Sequence, residues 1–110
     1  MDLEAYHRDV LRTTRPDLSP RDRLLLGALG LSGETGEVVD SLKKMLFHDH
    51  PIDMQTICDE LGDVLWYVVL LCDTLGFTLE DVMSFNVEKR RKRYPDGFSV
   101  ERSRNRESGG

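Results

Sequence analysis

The stretch between Asp53 and Gly76 constrains this chain more than any other part of it. An aspartate able to cap a helix opens it, a glycine able to end one closes it, and no proline interrupts Met54 to Leu75. Within it Ile57, Leu61, Val64, Val68, Leu71 and Leu75 recur at alternating spacings of four and three residues. That repeat is a helix seam in a bundle. Leu65, Trp66, Val69, Leu70 and Cys72 fill the other faces, so the helix is apolar nearly all round and must be covered all round. A chain of 110 residues is short of material to cover such a helix by itself, so a second subunit is expected over its outer face, with Val69 read as an outward residue. The expected fold class is all-α: an antiparallel helical bundle of about four helices per chain, completed by homo-oligomerisation.

The other helices are read from their ends. Leu3, Tyr6 and Val10 give a short amphipathic start that stops before Pro16. Ser19-Pro20 reads as an N-cap with proline at the first helical position, opening a second helix to about Phe47, where His48-Asp49-His50-Pro51 breaks it. Thr78 and Asp81 form an approximate capping box for a fourth helix that ends near Pro95. Residues 1–98 are expected to form one domain, and 99–110, rich in Arg, Ser, Glu, Asn and Gly, a disordered polar tail.

Composition narrows the function class. Fifteen basic against twenty acidic residues give a net charge of −5, which argues against a nucleic-acid partner. The longest apolar run, Val64 to Cys72, is nine residues, far short of the ~18 needed to cross a bilayer. Met1-Asp2-Leu3-Glu4 lacks the basic start and apolar core of a signal peptide, so a cytoplasmic protein without a membrane partner is expected. Cys58 and Cys72, on one helix, would be ~21 Å apart and cannot bridge. Thiols outside a disulfide suit a reducing compartment, and both are read as packing residues.

Two acidic pairs carry the chemistry. Glu34 and Glu37 are three apart on the second helix, and Glu60 and Asp63 are three apart on the third. That spacing puts each pair on one helical face. Antiparallel helices joined through the 48–53 loop would bring the pairs opposite each other. Four converging carboxylates repel and raise each other's pKa values unless cations sit among them, and all-oxygen donors suit magnesium or manganese. Taken alone, the acids read as solvated surface. Their neighbours argue otherwise: glycines at 27, 30, 33 and 36 cost a helix roughly 1 kcal/mol each relative to alanine, a cost usually repaid by close approach of a helix or a ligand. On the fourth helix Asn86, Lys89 and Arg93 share a face, while Arg90, Arg91 and Lys92 read as solvated. A cationic stripe with a carboxylate-bound metal is what a polyphosphate ester requires. Lys43 and Lys44 are candidate helpers that also read as surface lysines.

Three blocks, in order, resemble the MazG-like all-α nucleotide pyrophosphohydrolases. They are Gly30-Leu31-Ser32-Gly33-Glu34-Thr35-Gly36-Glu37-Val38, then Asp59-Glu60-Leu61-Gly62-Asp63-Val64-Leu65-Trp66-Tyr67, then Asn86-x-x-Lys89-x-x-x-Arg93-Tyr94-Pro95. The resemblance covers about residues 3 to 98. It implies hydrolysis of a nucleoside triphosphate, ribose or deoxyribose, to the monophosphate and pyrophosphate. It also implies metal binding and catalysis by Glu34, Glu37, Glu60 and Asp63 with Mg2+ or Mn2+, and substrate binding by Asn86, Lys89, Arg93 and Tyr94. Tyr67, one turn after Asp63, reads equally as a sugar or base contact and as a packed tyrosine. The resemblance favours a tetramer, a dimer of dimers, with nucleotide-pool house-cleaning as the role. Many members carry a further glutamate where this chain has Gly33, so Asp40 or Asp59 is expected to stand in.

Other classes remain open from sequence. A helical interaction module would carry the same acids as surface, and a phosphoribosyl-ATP pyrophosphatase-like enzyme would use them similarly. A ferritin-like di-metal bundle wants two Glu-x-x-His pairs, and only Glu4-x-x-His7 has that form. His48 and His50 flank Asp49 and are read as loop residues rather than ligands.

Overall fold

The computed structural model describes residues 1–48, 51 and 53–104. Among them are five helices: α1 (Leu3–Arg12), α2 (Pro20–His48), α3 (Met54–Leu75), α4 (Leu79–Arg93) and α5 (Val100–Arg104). The first three begin at local caps. Asp2 caps α1 by accepting from the Ala5 N–H at 2.8 Å, and Ser19 Oγ accepts from the Asp22 N–H at 3.1 Å ahead of α2. Asp53 caps α3 through the Gln55 N–H at 3.0 Å, and Gly76 closes it in the left-handed conformation at φ 86°. An isolated bridge between Pro95 and Gly97 follows α4.

The chain divides into two compact units, residues 1–78 and 79–110. In the first, α2 and α3 run antiparallel: Gly27 meets Leu71, Gly30 meets Tyr67, and Ser41 meets Glu60. Residue numbers rise on one helix as they fall on the other. The positions of α2 with reduced exposure are Arg23, Leu24, Gly27, Gly30, Leu31, Glu34, Val38, Ser41 and Met45, one stripe at helical spacing. Helix α1 packs on α3, with Trp66 Nε1 donating to Thr13 Oγ1 at 2.9 Å. Asp73 ties all three helices, taking His7 Nε2 at 2.9 Å from α1 and Arg23 Nη1 at 3.7 Å from α2. The core lies at this end, where Val10, Val69, Leu70 and Cys72 are buried with Thr14.

Three expectations for α3 need correction. Val69, read as outward, is fully buried in the single chain. Leu61 and Leu75, read as seam residues, are 53% and 57% exposed. The positions of reduced exposure are Ile57, Glu60, Val64 and residues 66–74, so Ile57, Val64, Val68 and Leu71 keep their expected seam places and Glu60 joins them. Close contact with the glycine face of α2 rotates α3 so that Tyr67 and Leu71 meet it, and Glu60 turns in where Leu61 was expected. Cys72 packs in the core, but Cys58 is exposed, against its reading as a packing residue.

In the second unit no residue of α4 is buried, and Val82, Met83 and Phe85 are exposed. The stretch expected to be a disordered tail carries α5, whose first turn Ser99 caps at 3.1 Å through the Arg102 N–H. Residues 105–110 lie outside the described residues, as do Asp49 and His50; His48 is the exposed last residue of α2.

Candidate active site

Helical spacing puts Glu34 and Glu37 on α2, and Glu60 and Asp63 on α3, and the antiparallel pairing brings the two sets together. Glu34 and Glu60 occupy inward seam positions and are half-buried, whereas Glu37 and Asp63 are exposed. The Glu34 carboxyl is held above the usual glutamate range, first by burial, then by a hydrogen bond to Glu37, then by the charges of Glu37, Asp63 and Glu60. One Glu34 oxygen, Oε2, is sealed from solvent with no hydrogen-bond partner. A buried polar atom in that state costs stability unless a ligand satisfies it.

Beside these acids is an open cavity of about 500 Å³ lined by Gly33, Gly36, Glu37, Asp40, Ser41, Lys44 and Glu60. Its glycines differ from the two that precede them on α2. A Cβ on Gly27 would lie 2.5 Å from Leu71 Cδ2, and one on Gly30 would run into the Tyr67 ring. A Cβ on Gly33 or Gly36 would meet nothing within 4 Å. Packing against α3 therefore accounts for Gly27 and Gly30 and leaves the two cavity glycines without a reason inside the chain.

Of the two acids expected to replace the one missing at Gly33, Asp40 lines the cavity and pairs with Lys44 Nζ at 3.1 Å. Asp59 is exposed and accepts from Gln55 Nε2 at 2.8 Å. Lys44 lines the cavity; Lys43 is exposed and is not among its lining residues. Tyr67 sits over Gly30 and meets the Trp66 ring edge-on, with centroids 5.0 Å apart, which is its packing role. In the second unit Asn86, Lys89 and Arg93 do share one face of α4. Asn86 Oδ1 accepts from Arg90 Nε at 3.1 Å, and the Arg93 guanidinium stands 6.0 Å from the Tyr94 ring centroid. Tyr94 also faces Phe98, with centroids 5.6 Å apart.

Two residues at the site escaped the sequence reading. Ser41 Oγ donates to both oxygens of Glu60, at 3.0 and 3.2 Å. It lies four residues past Glu37 and seven past Glu34, so extending the helical face by one turn would have found it. Tyr6, from α1, donates to the Gly62 carbonyl at 3.4 Å, and its hydroxyl is pushed up by burial and then by Asp63 and Asp9. Nothing local in the sequence points to that contact.

Among the described residues, no three His, Cys, Asp or Glu side chains already enclose a metal position. The carboxylates share a neighbourhood, not a closed shell. A cation nevertheless fits the donor set: hard oxygens from two helices, mutual repulsion and a sealed, unsatisfied oxygen on Glu34.

An all-helical protein that sets two glutamate-led acidic pairs against each other is the class that fold and site define. A model of the MazG nucleotide pyrophosphohydrolase domain matches residues 25–98, and the chain belongs to that family. It is 37% identical over 73 residues to the Gene 37 protein of Mycobacterium phage L5, across 63% of this chain and 64% of that protein. The chain thus spans somewhat less than two-thirds of that relative's length. It is 42% identical over 40 residues to the uncharacterized protein YvdC of Bacillus subtilis (strain 168), across 36% of this chain and 38% of that one. No solved structure matches it. The proposed acids, the cavity and the α4 face all fall inside the matched residues, whereas α1 with Tyr6 precedes them.

Proposed function

We propose that this chain is a nucleoside triphosphate pyrophosphohydrolase, cleaving NTP or dNTP with water to the monophosphate and pyrophosphate. The observation that carries the reading is Glu34: a half-buried carboxyl on a helix seam, one oxygen unsatisfied, in the charge field of Glu37, Glu60 and Asp63. Those four residues would hold Mg2+ or Mn2+. A divalent cation there supplies Lewis-acid polarisation of phosphoryl oxygens and acidifies water. The chain's residues do the rest. One of these carboxylates, where it is not engaged with the cation, would accept the proton of the attacking water. Lys44, on the cavity wall, offers a cation to a phosphate. Asn86, Lys89, Arg93 and Tyr94 are the proposed substrate-binding residues of α4 and its C-terminal end, the two cations neutralising the leaving pyrophosphate. A homo-oligomer, dimer or tetramer, is part of the proposal.

The test is product analysis across canonical and damaged triphosphates with magnesium. Monophosphate and pyrophosphate in equal amounts are expected, with label from isotopic water in the monophosphate if attack is at the α-phosphorus. Orthophosphate as the first product would overturn the reading. Glu60→Gln and Asp63→Asn should each abolish turnover while the helical circular dichroism is retained.

A further inference from the structure

Ser41 is half-buried on the inward face of α2, one turn past Glu37. A helix serine commonly returns its hydroxyl to the carbonyl four residues back. This one reaches across to α3 and places Oγ 3.0 Å from Glu60 Oε1 and 3.2 Å from Oε2. A donor nearly equidistant from both oxygens, at hydrogen-bonding angles to each, stands in front of the open edge between them. That edge is the one a carboxylate uses to chelate a cation with both oxygens. With it occupied, each oxygen keeps only its outward lone pair, on a side chain that lines the cavity.

We propose that Ser41 is a positioning residue that closes the chelating edge of Glu60 and so biases the site toward magnesium and against calcium. The inference rests on the metal-site reading above and says how that site selects its ion. Calcium tolerates irregular, high coordination and often takes both oxygens of one carboxylate, whereas magnesium demands a near-ideal octahedron built from single oxygens. A hydroxyl on the shared edge opposes the first and accommodates the second. It also fixes the Glu60 rotamer, and hydrogen bonds of this kind on a ligating side chain are typically worth about 10–100-fold in metal affinity.

The experiment is calorimetric titration of the full chain with Mg2+ and Ca2+, without nucleotide, for wild type, Ser41→Ala and Ser41→Thr. Alanine keeps the helix, because it is the better helix former. In Ser41→Ala the Mg2+ dissociation constant should rise by about 10-fold or more while Ca2+ binding holds or tightens, so that the preference for Mg2+ falls by a similar factor. Ser41→Thr, which retains the hydroxyl, should keep the wild-type preference. An unchanged Mg2+ to Ca2+ ratio in Ser41→Ala would overturn the role of Ser41 and leave the pyrophosphohydrolase reading standing. So would a threonine variant that loses as much preference as alanine. A wild-type chain that binds neither ion would overturn the metal site and this inference together.

Discussion

A carboxylate on a helix seam goes against the ordinary rules of burial, and Glu34 is such a residue. Its spacing to Glu37 is legible in the sequence, but its half-burial and orphaned oxygen are not, because they depend on which face α3 covers. The raised pKa has a stability consequence. The folded value lies above the ordinary 4.5, so the native state takes up the proton first as pH falls. The penalty for ionised Glu34 is therefore full above its folded pKa and gone below 4.5, and the metal-free protein should gain stability as pH drops through that window. Glu34→Gln should melt higher than wild type at neutral pH without metal and show a flatter pH profile. Thermal melts by circular dichroism from pH 4 to 8 check this, and a Glu34→Gln protein less stable than wild type at pH 7 would contradict it.

At the scale of the element, α2 is a single helix whose glycines do two jobs. Sequence spacing reveals all four but cannot sort them, because the sorting depends on what lies opposite. Gly27 and Gly30 admit Leu71 and Tyr67 of α3, while Gly33 and Gly36 face open space on the cavity wall. Gly30→Ala should destabilise the protein by ~1–3 kcal/mol, since the rigid Tyr67 ring must move. Gly36→Ala should stabilise it by up to ~1 kcal/mol through helix propensity alone. If the cavity takes the substrate, the same Gly36→Ala change should lower turnover while it raises the denaturation midpoint. Urea titration of the two variants with activity measured alongside separates these effects, and equal destabilisation by both would refute the division.

Over the whole molecule, the apolar surface left uncovered points to assembly, though not through the residue first expected. Val69 is buried within the chain, so Val69→Glu should unfold it, because an unpaired buried charge costs several kcal/mol. Leu29, Leu46 and Phe47 on α2 are 72%, 68% and 77% exposed. Apolar residues that exposed along one long helix are suited to contact with a second copy. Light scattering at micromolar concentration should show a dimer or larger, and Leu29→Glu should dissociate it while leaving the helical spectrum in place. A monomeric wild type would remove the oligomer from the proposal. Among the described residues no single helix is long and apolar enough to cross a membrane.

The sequence by itself determined the order and ends of the first four helices, the acidic pairs and the family. The helices and the pairs rest on local physics: caps a few residues from what they cap, glycine at a left-handed stop, and side chains three apart on one face; the family rests on the resemblance of three motif blocks. Only the tertiary structure decided the rotational phase of α3 against α2. Apolar periodicity on a helix hydrophobic nearly all round cannot choose between Glu60 and Leu61, or send Val69 inward rather than outward, because every phase buries apolar surface. The choice is made between helices, where the glycine face of α2 admits Tyr67 and Leu71. With that phase set, Glu60 turns inward to meet Ser41, a contact between residues 19 positions apart that neither helix encodes alone.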